Sequence, residues 1–343
     1  MGSAGSAPTV DRTHDPGVDV ARVRGEAAAR GPAARTGPVP APGHRLLVGT
    51  AGWTDRTLTA RGVFYPESAT SPETRLRYYA SRFSMVEVDA TYYALPVPRM
   101  AESWVERTPP DFIFDVKAFA MMTGHPVETS RLPADLRDAL PAALRARGRV
   151  YPKDLPHEVR DAVWATFHDA IEPLHRARKL GAVLLQYPRW FVPGSAAREA
   201  ILAARAHLGE FPCAVEFRNR RWFTAHTTER TLQFLSDHDV PCVIVDGPQG
   251  LESSVPALPA VTSPSLAVVR LHGRRDDLWE RPGVSTAERY RYLYDEHELT
   301  EWVPRIRALT EKATATHVVF NNCYANYGTT NALEMQALLM PRS

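Results

Sequence analysis

The sequence predicts an α/β fold, a (β/α)8 TIM barrel with a parallel sheet, and two observations carry that prediction. Short apolar runs rich in Val, Leu, Ile and Phe recur eight times, as expected for strands buried on both faces. Helical stretches lie between most of these runs, which is the alternation of a parallel barrel. A doubly wound open sheet is the alternative. The first run, however, leads into Gly49-Thr50-Ala51-Gly52-Trp53 and not into the Gly-x-Gly-x-x-Gly turn of that fold.

The predicted elements follow one another in order along the chain. The strands are 46–50, 84–89, 111–117, 181–187, 212–217, 240–246, 265–271 and 316–321. Helices are predicted over 72–83, 98–107, 156–179, 196–207, 226–238, 286–312 and 329–340, the first beginning at the N-cap pair Ser71-Pro72. Residues 118–180 form a long insertion between strands three and four, predicted to be an excursion over the barrel mouth. Residues 247–264 hold four prolines and no helical period, so no sixth helix is expected there.

The chain is predicted to hold a single barrel domain, 44–343, behind an N-terminal tail, 1–43. Ala, Gly and Pro occupy 22 of the first 43 positions, and Phe, Tyr, Trp, Ile and Leu are absent from them. Such a segment buries little apolar surface to offset its ordering entropy. The tail is therefore predicted to be disordered.

Bulk properties give few clues to a partner. A formal net charge of +2 gives no general attraction to nucleic acid or membrane. No apolar run is long enough for a membrane span, and the N-terminus lacks the apolar region of a secretory signal, so a cytoplasmic location is expected. The three cysteines, Cys213, Cys242 and Cys323, lack metal-ligand spacing and indicate buried thiols, with a catalytic thiol as an alternative for Cys323 alone.

The most informative feature is the polar residues that end six of the predicted strands. Charged groups on apolar strands are costly unless they are paired or used. These residues are Glu87, Asp89, Lys117, Gln186, Glu216, Arg218, Arg270, His272, Asn321 and Asn322. In a barrel the carboxyl ends of the strands meet at one mouth, where active sites lie. Residues two apart on a strand also share a face. A single polar pocket is therefore predicted.

Roles can be assigned by residue type. The catalytic candidates for acid/base chemistry and charge stabilisation are Glu87, Lys117, Glu216, Asp246 and His272. The substrate-binding candidates are Trp53, Asp89, Tyr92, Gln186, Arg218, Trp222, Arg270, Asn321 and Asn322. The aromatic residues among them could stack on a sugar or base. The alternative is a salt-bridge network that plugs the top of the barrel.

Two further ligands are considered at the same mouth. The loops after the last two strands carry Gly273, Arg274 and Gly328 near a helix N-terminus, which suggests a phosphate site. Glu87, Asp89, Glu216 and Asp246 could hold Mg²⁺ or Mn²⁺. Neutralisation of these carboxylates by Lys117, Arg218 and Arg270 is preferred, so no cofactor is predicted, with a divalent metal as the alternative.

Eight segments in order resemble the YecE-like family, domain of unknown function 72. They are Gly49-Thr50-Ala51-Gly52-Trp53, Phe64-Tyr65-Pro66, Val86 to Tyr93, Phe114 to Ala118, Leu185 to Pro188, Glu216-Phe217-Arg218, Arg270 to Arg274 and Phe320-Asn321-Asn322. The resemblance covers about residues 46–340 and implies a TIM barrel without implying a reaction. The chain departs from the family pattern at the mouth, where Asp89 replaces a usual Asn.

Three functions remain open. The first is an enzyme that acts on a small polar substrate, sugar-like or phosphorylated, by acid/base chemistry, as a hydrolase or isomerase would. The second is a nucleic-acid-binding protein or phosphodiesterase, suggested by Arg218, Arg220, Arg221, Arg274 and Arg275 beside aromatic residues. The third is a non-catalytic barrel that binds a metabolite or a partner.

Overall fold

The computed structural model describes residues 15–30 and 38–341. Within these residues the strands are Arg45–Ala51 (β1), Met85–Val88 (β2), Ile113–Lys117 (β3), Val127–Glu128 (β4), Arg149–Val150 (β5), Leu180–Gln186 (β6), Cys213–Glu216 (β7), Val243–Asp246 (β8), Leu266–Leu271 (β9) and Ala315–Phe320 (β10). Eight of them form one sheet in the order β7-β6-β3-β2-β1-β10-β9-β8, and each predicted strand overlaps one of these eight.

All neighbours in this sheet pair in parallel. The two edge strands, β7 and β8, approach each other through a parallel bridge between Val215 and Cys242. The backbone N–H of Val215 also donates to the carbonyl of Pro241 at 2.8 Å. The sheet therefore curls into a nearly closed barrel, and the predicted fold class is confirmed.

Helices surround the barrel. They are Pro16–Arg30 (α1), Pro72–Ala80 (α2), Pro98–Glu106 (α3), Ala134–Asp138 (α4), Ala142–Arg145 (α5), His157–Arg176 (α6), Ser195–Leu208 (α7), Thr228–Asp237 (α8), Thr286–Arg289 (α9), Glu296–Thr310 (α10) and Tyr327–Leu339 (α11). Between β8 and β9 the described chain has no helix, as the prolines of 247–264 predict. None of the helices in the described ranges is long and apolar enough to cross a membrane.

Alternation along the strands separates an inner from an outer face. Leu47, Ala51, Met85, Ile113 and Val319 form a compact apolar cluster. Because these residues alternate with members of the large cluster that the surrounding helices cover, they define the inside of the barrel. Charged side chains two residues further along the same faces must then point into the barrel, toward its mouth.

The insertion differs from its predicted extent. Helix α6 packs against α3 and is the ordinary barrel helix after β3, so the excursion covers about 118–156 and not 118–180. It contains α4, α5 and an antiparallel ribbon of β4 and β5. The predicted helix over 286–312 is also divided. Its second part, α10, begins at a capping box in which Asp295 and Glu298 bind each other's backbone N–H groups.

The prediction of a disordered tail is wrong for residues 16–30, which form α1 against α11. The contact depends on small residues, because Ala21 and Gly25 are buried. A Cβ atom at Gly25 would lie 3.0 Å from the hydroxyl of Thr330. Arg24 adds a bidentate ion pair to Glu334, at 2.7 and 2.8 Å. The small side chains that suggested disorder instead allow two helices to approach closely. Residues 38–43 of the predicted tail are also described, and Val39 is buried and bridges Leu46 of β1. Residues 1–14 and 31–37 lie outside the described residues.

Candidate functional site

The centre of the candidate site is the guanidinium of Arg270, which lies inside the barrel on β9. Its Nη2 donates to Oε1 of Glu87 at 2.6 Å, and its Nη1 donates to Oε2 of Glu216. Each of the three side chains is at most 1% exposed. Charge-assisted bonds of this kind are strong and fix geometry. The structure thus brings together three predicted residues from β2, β7 and β9.

Glu216 is the more strongly held of the two carboxylates. Its Oε1 lies 2.5 Å from Nε of Arg218 and 3.5 Å from Nε2 of His272. Burial alone would raise the pKa of this carboxyl. The charges of Arg218 and Arg270 and the contact with His272 outweigh burial and hold the pKa well below its usual value. Glu216 therefore stays ionised and is suited to anchoring the arginines.

Glu87 behaves differently although it shares the same arginine. Burial raises the pKa of its carboxyl, and the charges of Arg270 and Lys117 only partly offset burial. Two neighbouring carboxylates whose pKa values move in opposite directions can take separate acid and base roles. The half-buried Gln186 contacts both arginines, since its Oε1 lies 3.4 Å from Nη2 of Arg218 and 3.5 Å from Nη1 of Arg270.

His272 is a neutral member of the cluster. One ring nitrogen, Nε2, lies 3.1 Å from Nη2 of Arg218, and the other lies 2.7 Å from the carboxamide of Asn321. Burial and the charge of Arg218 hold the pKa of His272 well below its usual value. An imidazolium would direct an N–H group at the Arg218 guanidinium, which can only donate. His272 therefore positions Arg218 and Asn321 and is not a cation here.

The charged side chains around Arg270 form a layer at the barrel mouth, and this layer has a second, more accessible face. Lys117, Asp89 and Gln186 are half-buried, whereas Arg270 and both glutamates are fully buried. The ammonium of Lys117 lies 4.5 Å from the ring centroid of Tyr92. Burial lowers the pKa of Lys117 to about 8, and the charge of Arg270 acts in the same direction. Burial also raises the pKa of Asp89. An entering ligand would meet these half-buried side chains first.

The approach of Asp89 to the barrel requires a glycine. Gly52 follows β1 with a φ of +88°, a conformation that side-chain-bearing residues rarely adopt. A Cβ atom at this position would lie 3.1 Å from Oδ1 of Asp89. The Gly49 to Trp53 segment therefore makes room for this carboxylate.

Aromatic residues form the rim of the mouth. Tyr92 contacts His125 edge to face at 5.2 Å, and His125 contacts the exposed Trp190 at 5.7 Å. On the opposite side, Trp279 and Tyr290 lie 5.9 and 5.7 Å from the ring of His272. Trp279 and Tyr290 are not among the site residues predicted from the sequence. Their position in the loop after β9 is the signal that could have found them, because that loop opens at the mouth.

A cavity of about 240 Å³ lies beside this rim. It is lined mainly by apolar residues of the excursion and of the segment after β6, including Met122, Gly124, Tyr187, Trp190 and Phe191. The exposed indole of Trp190 belongs both to this cavity and to the rim. A ligand larger than the mouth itself would find additional apolar contact here.

Asp246, a predicted catalytic residue, lies on the outer face of the barrel. Its neighbour Val245 is in register with the inward-pointing Arg270, so Asp246 must point outward. Its carboxylate accepts the indole N–H of Trp302 at 2.9 Å and pairs with Arg274 at 3.1 Å. The prediction is wrong because both faces of β8 are apolar and the sequence alone gives no direction.

Three predicted substrate-binding residues are structural. Trp53 packs edge to face against Trp104 at 6.0 Å, outside the barrel. Trp222 is completely buried and donates its indole N–H to the carbonyl of Phe191 at 2.8 Å. Asn322 turns away from Asn321 and donates to the carbonyl of Tyr292 and the Oδ1 of Asn331, at 2.9 and 2.8 Å. These side chains stabilise the loops that surround the mouth.

The residues predicted to bind phosphate are already engaged. The N–H of Gly273 donates to the hydroxyl of Tyr294 at 2.8 Å. Arg274 contacts three carboxylates, those of Asp246, Glu298 and Glu301, at 3.1, 3.2 and 3.5 Å. Gly328 is buried in the first turn of α11. The prediction of a phosphate site at this position is therefore not supported by the geometry.

The metal alternative and the cysteine alternative also lack a suitable arrangement. Among the described residues no group of three or more His, Cys, Asp or Glu side chains could hold a metal ion. Arg270 lies between Glu87 and Glu216, and Asp246 points away. The three cysteines are free. Burial and the charges of Asp89 and Asp55 raise the pKa of Cys323 to about 12, which keeps its thiol protonated and weakly nucleophilic.

Three of the five arginines that suggested nucleic-acid binding are held by carboxylates, whereas Arg220 and Arg221 are exposed and form no ion pair among the described residues. Arg218 pairs with Glu216, and Arg275 pairs with Asp277 at 2.7 Å. Arg274 is surrounded by the three carboxylates already described. A guanidinium held by carboxylates must exchange them for phosphate, which reduces the net gain from binding a nucleic acid.

The fold and the charged side chains at the strand ends define a TIM-barrel protein with a buried cluster of charge at its mouth. Comparisons with known proteins identify the family. A family model described as "Protein of unknown function DUF72" matches residues 47–343. The chain therefore belongs to the DUF72 family, and the resemblance seen in the sequence is confirmed. Helix α1 lies outside the matched region.

Individual relatives agree with this assignment. The chain is 31% identical over 297 residues to the UPF0759 protein YunF of Bacillus subtilis (strain 168), covering 86% of this chain and 94% of YunF. A crystal structure of a DUF72 family protein from Thermotoga maritima MSB8 is similar with a TM-score of 0.67 and 30% identity, over 85% of this chain and 98% of that one. A DUF72 family protein from Enterococcus faecalis V583 has a TM-score of 0.68 at 23% identity, over 87% and 96%, and supports the fold alone. None of these descriptions names a reaction.

Proposed function

We propose that this protein is an enzyme that acts on a small polar substrate by acid/base chemistry at the barrel mouth. One observation carries the proposal: the charged layer has a buried, ion-paired lower part and a half-buried upper face. The lower part consists of Arg270, Glu87 and Glu216, and the upper face carries Lys117 and Asp89. A plug that served stability alone would pair its charges throughout. The upper face instead leaves an ammonium against an aromatic ring.

The side chains divide into roles by their protonation. Lys117, with its pKa lowered to about 8, can both accept and donate a proton near neutral pH. Asp89 and Glu87, whose pKa values are raised, are the carboxyl groups available for the opposite transfer. Gln186 is the neutral half-buried group available for a substrate hydroxyl or carbonyl. Arg270 supplies fixed positive charge beneath the reacting atoms.

The mouth favours an uncharged or weakly charged, sugar-like substrate. Tyr92, Tyr290 and Trp279 provide aromatic faces on which the C–H groups of a sugar ring could pack. The arginines of the layer are already neutralised by glutamates, so a strongly anionic phosphate would displace existing ion pairs. We therefore favour the sugar-like over the phosphorylated substrate.

The test is proton exchange in D₂O, followed by ¹H NMR, across a panel of aldoses, ketoses and hydroxy-acids with and without phosphate. We expect the wild-type protein to exchange or isomerise at least one unphosphorylated sugar. Lys117→Met and Asp89→Asn should lose that activity by 10²–10⁴-fold, the usual contribution of a positioned acid or base. Arg61→Met is the matched control, because Arg61 is exposed and, within the described residues, pairs with the exposed Glu67 alone.

Two results would oppose the proposal. If no compound exchanges although one raises the melting temperature, the protein is a binding barrel and not an enzyme. If Lys117→Met and Asp89→Asn retain wild-type rates, the residues assigned here do not carry the chemistry. A separate titration with single-stranded and duplex oligonucleotides at 50 and 200 mM salt examines the nucleic-acid alternative, whose affinity must fall steeply with salt.

A further inference from the structure

The four lysines of this chain occupy very different environments. Lys153 and Lys312 are exposed. Lys179 is buried, and its ammonium donates to the carbonyl of Val105 and to both the carbonyl and the hydroxyl of Thr108, each at 2.9 Å. All three donor positions of Lys179 are therefore used. Lys117 is the lysine at the barrel mouth, and its surroundings differ from those of the other three.

Two of the three carboxylates near Lys117, those of Glu87 and Glu216, are committed to arginines, and the third, that of Asp89, lies beyond ion-pair distance of the ammonium. Arg270 forms an ion pair with Glu87 at 2.6 Å and another with one carboxylate oxygen of Glu216. Arg218 pairs with the other oxygen of Glu216 at 2.5 Å. Lys117 is absent from the ion pairs formed within the described residues. Its ammonium instead lies over the ring of Tyr92 at 4.5 Å. Lys117 is half-buried, whereas Arg270, Glu87 and Glu216 below it are fully buried.

From this geometry we propose that Lys117 is a nucleophilic amine that forms an imine with a carbonyl substrate, an aldehyde or a ketone. This inference rests on the proposed function, because it concerns the same mouth and narrows the substrate class. A lysine is activated for such a reaction by removal from water and by a neighbouring cation. Both conditions are met, since the side chain lies at the rim beneath Tyr92 and Arg270 is the nearby fixed cation.

The amount of reactive amine follows from its protonation. Burial and the charge of Arg270 lower the pKa of Lys117 to about 8. At pH 7 such an amine is neutral in about one molecule in ten, whereas a lysine with an ordinary pKa is neutral in roughly one in 3,000. The neutral nitrogen carries the lone pair that attacks the carbonyl carbon.

The reaction needs no additional reagent. The nitrogen lone pair forms the new C–N bond, and the carbonyl π electrons move to oxygen. The oxygen then takes up a proton and the nitrogen loses one, which gives a neutral carbinolamine. Protonation of the hydroxyl releases it as water while the regained nitrogen lone pair forms the C=N bond, and loss of the last N–H proton gives the imine. The balance is amine plus carbonyl gives imine plus water. Asp89, a half-buried carboxyl group whose pKa is raised, is available to carry these protons between oxygen and nitrogen.

Reductive trapping tests the inference on the full chain. The protein is incubated with glyceraldehyde, or separately with pyruvate, in the presence of sodium cyanoborohydride at pH 7, and the labelled lysines are located by peptide mass spectrometry. We expect Lys117 to be labelled at least tenfold faster than Lys153 or Lys312, with a rate that rises with pH and levels off above a midpoint near 8. Labelling of Lys117 at or below the rate of Lys153 overturns the inference.

The exposed lysines act as controls within one molecule, so the result does not depend on any variant folding correctly. Lys117→Arg keeps the positive charge and should remove the fast phase while leaving the labelling of Lys153 unchanged. A fast phase that persists in this variant also overturns the inference.

The two proposals can fail separately. Fast trapping at Lys117 without turnover of any compound in the panel supports the reactive amine and rejects the acid/base enzyme. Turnover that depends on Lys117 and Asp89 without trapping supports the enzyme and rejects the imine.

Discussion

Replacement of Arg270 by methionine tests the idea that one buried guanidinium holds the mouth together. Methionine has a similar length and no charge, so the change mainly removes the bonds to Glu87 and Glu216. Glu216 keeps its contact with Arg218, but Glu87 loses its direct ion-pair partner. Removal of one member of a buried ion pair typically costs about 3–5 kcal/mol, because a buried charge remains uncompensated. We expect a loss of this size in the free energy of unfolding.

The pH dependence of this loss has a definite sign. Without Arg270, the pKa of Glu87 in the folded state rises further above its unfolded value, so the folded state holds a proton that the unfolded state releases. Above the unfolded pKa the stability of the variant must then fall as pH rises. Urea unfolding at pH 5 and pH 8 should therefore show the larger defect at pH 8.

A second variant and a control complete the test. Arg270→Met with Glu87→Gln replaces the stranded carboxylate by a neutral amide and should recover about 1–3 kcal/mol at pH 8. Arg61→Met removes an ion pair whose side chains are 87% and 78% exposed, and should change stability by no more than about 0.5 kcal/mol. If Arg270→Met is as mild as Arg61→Met, or if the double variant recovers nothing, the buried network does not contribute as described.

Three further predictions concern other parts of the molecule. The drop in the pKa of Lys117 from 10.5 to about 8 corresponds to about 3 kcal/mol, reduced to about 1–2 kcal/mol by its partial exposure, so Lys117→Met should raise stability by that amount in urea at pH 7. Gly25→Leu should separate α1 from α11 and speed tryptic cleavage within α1, whereas Ala27→Leu on the exposed face should not. His317→Leu should cost about 3 kcal/mol in urea, because it strands the buried Asp115 that lies 3.0 Å from its ring nitrogen, and Asp115→Leu in addition should restore part of the loss.

The strands and the centre of the site were predictable because each strand is a short apolar run that ends in a polar residue. The rule that residues two apart share a face places Glu216 with Arg218 and Arg270 with His272, as the structure has them. The same rule cannot say which face is inward when both are apolar. Asp246 follows three apolar residues, Val243-Ile244-Val245, so the sequence does not show which face of the strand its side chain occupies. In the structure the side chain points outward, where it accepts a hydrogen bond from Trp302.

The N-terminal helix shows a different limit. A segment of Ala and Gly can remain unfolded, or it can pack closely against a partner with a matching surface. The matching surface here includes Thr330 and Glu334 of α11, about 300 residues away in the chain. The local composition holds no information about that partner. The prediction of disorder therefore rests on the weak apolar content of the segment alone.

The structure joins the stability of the mouth to its reactivity through a single group. An ammonium without a carboxylate partner lowers the stability of the folded state, and the same lack of a partner increases the neutral amine available to attack a carbonyl. Both effects must follow the titration of the same group, the Lys117 ammonium. The folded pKa of Lys117 lies below its unfolded value, so wild-type stability should rise as pH increases from about 8 to about 10, and this rise should be absent in Lys117→Met. The onset of that rise and the midpoint of reductive trapping should therefore coincide. If they differ by more than about one pH unit, two different groups are responsible, and the link between the cost of Lys117 in stability and its role as a nucleophile does not hold.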